Sequence, residues 1–211
     1  MNITERYSLL RQSFDRRASQ YLRNPVTQWV GNSELDALKT MLQTYRPSDQ
    51  NFALDFGCGT GRVTVMLLEM KFEVTGYDLS PAMLERARAE LGPNPDLVFT
   101  SESKDIRRQW PLIVALGVLD YYQDTTPLWD EWKGLLAPGG ILLVTAPNAR
   151  SPLAWFYTVF SRFTCQAYAA SPEKLIPLAK SKGFSMLDLK TVFPQNRWGH
   201  TLVLGFRFDP I

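Results

Sequence analysis

From Asn51 onward the chain alternates short apolar runs with amphipathic stretches, and that alternation restricts its fold more than any other feature. Apolar runs at 52–56, 72–77, 97–100, 112–117 and 141–145 have the length of buried strands. Between them, 62–70, 81–91 and 127–136 place apolar residues three or four apart, the period of a helix with one buried face. Ser80 before Pro81 is a helix start, because a hydroxyl can cap free N–H groups and proline suits the first turn. Pro138-Gly139-Gly140 reads as a turn. Strands separated by single helices must run parallel, with crossover helices on both faces of one sheet. The end of the chain differs. Gly183 stops a helix begun at Ser171-Pro172, and strands at 184–192 and 201–208 are joined only by residues 193–200. So short a link cannot make a parallel crossover, so this last pair forms an antiparallel hairpin.

Ahead of the first strand, Tyr7, Leu10, Phe14, Ala18 and Tyr21 make one helical stripe, and a second helix is expected over 33–45. The expected organisation is a helical lid over 1–50 and a core over 51–211, with an aromatic cap inserted at about 150–170. At 211 residues the chain has length for one domain with a sizeable core. A formal charge of +2 and no dense basic run argue against a nucleic-acid or anionic-membrane partner. Two cysteines without metal-ligand spacing and a single histidine, His200, argue against a metal site. The amino terminus meets charge at once, and no apolar run reaches the roughly 18–20 residues of a bilayer span, so the expected location is cytoplasmic.

The sharpest chemical signal is Asp55-Phe56-Gly57-Cys58-Gly59-Thr60-Gly61, between a predicted strand and a predicted helix. Its glycines let the backbone turn tightly and approach a ligand closely, and the helix that follows offers unpaired N–H groups. The dinucleotide fingerprint G-x-G-x-x-G needs a third glycine at 62 or 64, where Arg62 and Thr64 stand. The run is instead D-x-G-x-G-x-G. Asp78 closes the next strand, 23 positions after Asp55, where a carboxylate can accept the two hydroxyls of a ribose.

These stretches, with Asp78-Leu79-Ser80-Pro81-Ala82-Met83, Gly117-Val118-Leu119-Asp120-Tyr121-Tyr122 and Leu135-Leu136-Ala137-Pro138-Gly139-Gly140, resemble the class I S-adenosylmethionine (SAM)-dependent methyltransferases, in particular their small-molecule branch. The likeness runs from about Asn51 to Phe208. It implies a seven-stranded, doubly wound α/β sheet of Rossmann-like type, mostly parallel, with a terminal antiparallel hairpin. It implies SAM as cofactor and S-adenosylhomocysteine as product. Asp55, Gly57, Gly59 and Gly61 would lie at the methionine part of the cofactor, Asp78 at the ribose, Leu79 at the adenine, and Gly117 and Val118 near the sulfonium, with Cys58 and Met83 as further cofactor-binding candidates. Many relatives place an aspartate after the third strand for the adenine amino group. Here the stretch is Thr100-Ser101-Glu102-Ser103, which leaves Ser101 and Glu102 as candidates. Tyr21 is a candidate to close over the cofactor from the first helix, with core packing as the alternative.

Displacement on a sulfonium needs alignment more than activation, so the protein's task is orientation, worth roughly 7–11 kcal/mol. Where the acceptor must lose a proton, Asp120, Tyr121, Tyr122 and His200 are the candidate catalytic groups. Each also has a plain structural reading in loop packing or at a strand start. Cys58 reads as a small buried residue with no base beside it. The aromatic run 153–160, Leu-Ala-Trp-Phe-Tyr-Thr-Val-Phe, suggests an apolar acceptor pocket, a membrane-surface contact or a dimer interface, with a packed cap as the alternative. The expectation is methyl transfer to a small lipophilic or aromatic acceptor, on oxygen by analogy with the relatives. Rival readings are a SAM-binding partner subunit without catalysis, a reductase, and a protein or nucleic-acid methyltransferase. Against the last stand the absence of a proline motif after the fourth strand and of any Pro-Cys pair.

Overall fold

The computed structural model describes residues 3–18, 25–47, 50–161 and 166–210. Seven strands form one sheet in the order β3-β2-β1-β4-β5-β7-β6: β1 Phe52–Phe56, β2 Glu73–Tyr77, β3 Leu97–Thr100, β4 Trp110–Ala115, β5 Leu136–Pro147, β6 Phe184–Val192 and β7 Thr201–Phe208. The first five run parallel, and β7 inserts antiparallel between β5 and β6. The expected hairpin is therefore present, and the insertion of β7 brings its start, Thr201, opposite Pro147 at the carboxyl end of β5.

Two apolar cores cover the two faces of the sheet. On one side lie α2 (Pro25–Tyr45) and α3 (Arg62–Glu69), whose Leu38, Met41, Leu42 and Leu67 are fully buried against Ala53, Leu112 and Leu143. On the other, α5 (Thr126–Leu135) and α7 (Pro172–Ser181) pack on alternate residues of the same strands. Trp129 is the hub there: its ring meets Trp132, Phe184 and Phe206 edge-on at 5.5, 5.3 and 5.2 Å. Strand residues facing alternate sides, both covered, explain why the sheet reads as continuous apolar runs.

The remaining helices are α1 (Ile3–Arg17), α4 (Pro81–Leu91) and α6 (Pro152–Ser161). Ser80 caps α4, accepting the Met83 N–H at 3.2 Å. Some boundaries differ from the sequence pattern. Helix α2 begins at Pro25 rather than at residue 33. Gly31 lies inside it, with the Arg62 guanidinium standing where a Cβ would be. Strand β4 is displaced two residues toward the amino terminus, 110–115 in place of 112–117. Trp110 pairs with Leu136 while its indole donates to the Ile106 carbonyl at 2.9 Å, and Gly117 leaves the strand at φ +65°. Pro138-Gly139-Gly140 lies within β5 as an irregularity, because the register jumps from Trp110↔Leu136 to Leu112↔Ile141.

Candidate functional site

The loop after β1 owes its shape to three glycines with positive φ, +78° at Gly57, +53° at Gly59 and +89° at Gly61. At Gly57 the requirement is also spatial. A Cβ there would stand 2.6 Å from the Val118 Cγ2. The Gly57 and Cys58 N–H groups both donate to the Tyr77 carbonyl, at 2.7 and 2.9 Å, which fastens this loop to the end of β2. Asp78, one residue further on, accepts the Gly59 N–H on one carboxylate oxygen and the Ser80 N–H on the other, each at 2.8 Å. A carboxylate offers about four lone-pair positions, so both oxygens retain capacity for a ligand hydroxyl. Burial raises the Asp78 carboxyl to about 6, and the two backbone donors oppose the rise.

Above this floor is a cavity. The β1 loop contributes Phe56, Gly57 and Gly59; the end of β2 and the start of α4 contribute Tyr77, Asp78, Leu79 and Met83. The segment after β4 contributes Leu116, Gly117, Val118, Tyr121 and Tyr122, and α1 closes the top with Tyr7, Leu10 and Phe14. Among the described residues no lysine or arginine lines it, and its one charged side chain is an acid. Gly117, held by its N–H to the Thr145 Oγ1 at 2.8 Å, presents open space where a side chain would stand. Helix α1 is tied down by polar contacts at both ends. Asp15 accepts the Ser80 hydroxyl at 2.5 Å, Tyr7 donates to Glu131 at 2.8 Å, and Arg6 donates to the Tyr121 carbonyl at 2.7 Å.

The cavity thus gathers Gly57, Gly59, Asp78, Leu79, Met83, Gly117, Val118, Tyr121 and Tyr122 from the sequence-based candidates. Asp55 and Cys58 lie behind it. Asp55 is buried, accepts the Thr64 hydroxyl at 2.6 Å and is raised to about 7 by burial. Cys58 is buried too, its sulfur 3.1 Å from where a Cβ of Gly76 would stand, and burial pushes its thiol up. Gly61 caps α3 in the left-handed region. Ser101 and Glu102 line an adjoining cavity that shares Tyr7, Tyr77 and Leu79 with the first. Tyr21 lies outside the described residues.

Asp120 sits in the 3-10 turn Leu119–Tyr121, enclosed on the side of Glu34 and Tyr157, and is raised to about 8 by burial and by the Glu34 charge. His200, just before β7, lies ring to ring with Tyr157 at 5.7 Å and contacts the Thr201 Oγ1 at 3.0 Å; burial lowers its pKa. The sequence pattern marked Tyr7, Leu10 and Phe14 as one stripe of a lid helix without singling them out as cavity residues. Tyr157 was marked only as a member of the aromatic run 153–160, and Glu34 carried no signal.

A mostly parallel sheet with an inserted antiparallel β7, an acid at the end of β2 and a glycine loop after β1 together make up a Rossmann-like α/β domain. The residues 54–142 match the family model described as Methyltransferase domain. Over these residues, fewer than half of the chain, the protein is similar to that family. It is 36% identical over 110 residues to a trans-aconitate 2-methyltransferase of Streptomyces coelicolor, covering 48% of this chain and 36% of that one. With the enzyme of that name from Methylobacterium radiotolerans it shares 43% over 102 residues, covering 46% and 38%. The matches thus span little more than a third of those relatives' length. Among solved structures, magnesium protoporphyrin IX methyltransferase from Synechocystis PCC 6803 with bound S-adenosylhomocysteine superposes with TM-score 0.75 at 17% identity, covering 97% of this chain and all of that one. The 1,6-didemethyltoxoflavin-N1-methyltransferase of Burkholderia thailandensis gives 0.73 at 20%, covering 100% and 92%. At these identities the structures establish a shared fold. No helix among the described residues is long and apolar enough to cross a membrane.

Proposed function

We propose that this protein binds SAM in the cavity under α1 and transfers its methyl group to a small acceptor. The observation that carries this reading is the Asp78 carboxylate, fixed by the Gly59 and Ser80 amides at the floor of a cavity without cationic side chains. Such a site suits a ribose and a positively charged sulfonium, and it offers no side-chain counter-charge to a pyrophosphate. The cofactor supplies the activated methyl; the chain's own residues bind and orient it and exclude water. In this reading Gly57 and Gly59 approach the methionine part and Leu79 and Met83 flank the adenine. Gly117 and Val118 border the sulfonium, and Ser101 or Glu102 reaches the base from the adjoining cavity. Asp55 and Cys58 shape the loop from behind.

Residues 1–50 then divide in role, α1 serving as the lid and α2 as part of the core layer. Tyr121 and Tyr122 wall the junction of cofactor and acceptor, beside Asp120 and His200. An acceptor with an apolar or aromatic body is supported by the rings of Tyr7, Phe14, Tyr121 and Tyr122 in the cavity wall. Oxygen as the reacting atom is supported by the relatives' names, since trans-aconitate has no heteroatom but oxygen. The outer face of α6, with Leu153, Trp155, Phe156 and Phe160 each about half exposed or more, supports a contact with a membrane surface or a second copy.

Calorimetry with S-adenosylhomocysteine tests the cofactor, and methyl-labelled SAM with fractionated extract tests the transfer. Label entering a small-molecule fraction is the expected result. Binding without any transfer would instead favour a non-catalytic partner, and label in nucleic acid or protein would move the acceptor class.

A further inference from the structure

We propose that the outward face of α6, with the loop 193–200 and the first turns of α2, docks on an anionic lipid surface; this goes beyond the methyl-transfer reading and stands apart from it. Helix α6 is inverted for a helix in water. It buries its small residues, Ala154 and Ser161, and turns Leu153, Trp155, Phe156 and Phe160 outward, with Trp155 59% and Phe160 66% exposed. A surface helix ordinarily turns its large apolar side chains to the core. The tryptophans divide in the same way. Trp110, Trp129 and Trp132 are buried, while Trp29, Trp155 and Trp198 are exposed. Among the described residues, every exposed tryptophan and phenylalanine lies in α6, in the loop 193–200 or at Trp29.

These pieces are joined. The Trp29 ring meets the Phe193 ring at 4.7 Å, and Tyr157 of α6 meets His200, at the other end of the same loop, at 5.7 Å. Buried Asn148, shortly before α6, donates to the Arg197 and Gly199 carbonyls at 3.1 and 2.8 Å. The loop is also turned tightly on itself. Asn196 accepts the Trp198 N–H on its side chain at 2.9 Å and the Gly199 N–H on its carbonyl at 2.8 Å. A Cβ at Gly199 would stand 2.3 Å from the Pro194 carbonyl oxygen. Trp198 is therefore held outward by a built loop.

Charge selects the occupant. Aspartate and glutamate are absent from 16–33, 132–172 and 189–208, the stretches that carry the whole face. Arginines are present. Arg150 pairs with Glu173 of α7, while exposed Arg197 lies over the Trp198 ring at 4.9 Å and joins no ion pair among the described residues. The whole-chain charge of +2 conceals this local imbalance. Rings with an indole N–H, arginine and no acid suit the headgroup level of an anionic bilayer. There the rings enter the apolar boundary, and the N–H and guanidinium groups stay among phosphates. A second copy of the chain fits less well, because it would bring Arg197 toward the same acid-free face, with no carboxylate to receive it.

The test sediments the full chain with vesicles of phosphatidylcholine and with vesicles of an equal mixture of phosphatidylcholine and phosphatidylglycerol. Partitioning onto the mixed vesicles should be stronger by about tenfold or more and should weaken as salt is raised. Brominated lipid should quench the tryptophan emission. Trp155→Ser and Phe160→Ser, made together, should weaken partitioning by about tenfold or more, and Arg197→Glu by about tenfold on the mixed vesicles alone. Val98→Ser, which removes an exposed apolar side chain from β3, should change nothing. Both rings of the double variant are exposed, so its thermal denaturation should match the parent. No vesicle binding, equal binding to the two vesicle types, or an equal effect of Val98→Ser and the double variant overturns the proposal. So does a lipid-free dimer in light scattering that the double variant dissociates while vesicles bind neither protein. Calorimetry with S-adenosylhomocysteine on the same proteins reads the cofactor site by itself, so failure there leaves the lipid result standing.

Discussion

The Asp78 carboxylate and the Gly59 amide, 2.8 Å apart, join the end of β2 to the loop after β1 before any ligand arrives. In the proposed reading, the acid that binds the ribose is thus positioned by the same loop that would admit the amino-acid tail.

Replacing Asp78 by Ala removes that link and the proposed ribose partner together. Affinity for S-adenosylhomocysteine should fall about 10- to 100-fold, the scale of one to two hydrogen bonds to a charged group. Calorimetry reads the loss, and thermal denaturation without ligand should show the variant still folded. An unchanged affinity would remove Asp78 from the site.

Gly57→Ala and Gly117→Ala should separate backbone strain from steric overlap. Both positions have positive φ, costing about 1–2 kcal/mol for any side chain. Only Gly57 adds a collision, with Val118, so its variant should be the less stable in urea denaturation. Gly117→Ala should fold well and bind cofactor poorly, its methyl group standing in the cavity. Equal stability of the two variants would contradict this reading.

Acid stability follows from three carboxyls. Asp78, Asp55 and Asp120 stand at about 6, 7 and 8, above the unfolded value near 3.9. The folded state therefore holds protons that the unfolded chain has released, and these groups weaken folding as pH rises toward 8. His200, lowered by burial, acts in the opposite direction below about pH 6.5. Between pH 6.5 and 8 the ligand-free protein should lose thermal stability. Asp120→Asn should flatten that decline and raise stability at pH 8 by about 1–3 kcal/mol.

In the proposed reading α1 is the lid and moves for a cofactor to enter beneath it. Tyr7→Phe, which deletes the bond to Glu131, and Asp15→Ala, which deletes the bond to Ser80, should speed release of S-adenosylhomocysteine. Each should also increase hydrogen exchange within α1, with little change in β1–β5. Release rates equal to those of the parent would show that these contacts do not restrain the helix.

Most of the sheet was legible because its signals are local. Phe52–Phe56, Leu97–Thr100, Phe184–Val192 and Thr201–Phe208 are apolar runs between clear breaks, and Pro81–Leu91 has its cap and its proline. Boundaries failed where a distant contact decides. The expected start of α2 at 33 left out Gly31, which packs against Arg62, and Trp110 joins β4 through the Ile106 carbonyl and Leu136. In the site, Asp78 and the glycines announce themselves by type and spacing. Glu34 does not, and the aromatic run 153–160 and the stripe of α1 announce a cover without saying which of their side chains meet the site, since their neighbours lie far away along the chain.

The insertion of β7 between β5 and β6 has a consequence for biosynthesis. Until residue 208 has left the ribosome, β5 carries a bare edge and β6 has no neighbour to pair with. A nascent chain halted before Thr201 exposes two unsatisfied strand borders, the kind of surface that recruits other chains. Mutations that slow this final insertion should therefore lower soluble yield even where the completed protein is as stable as its parent.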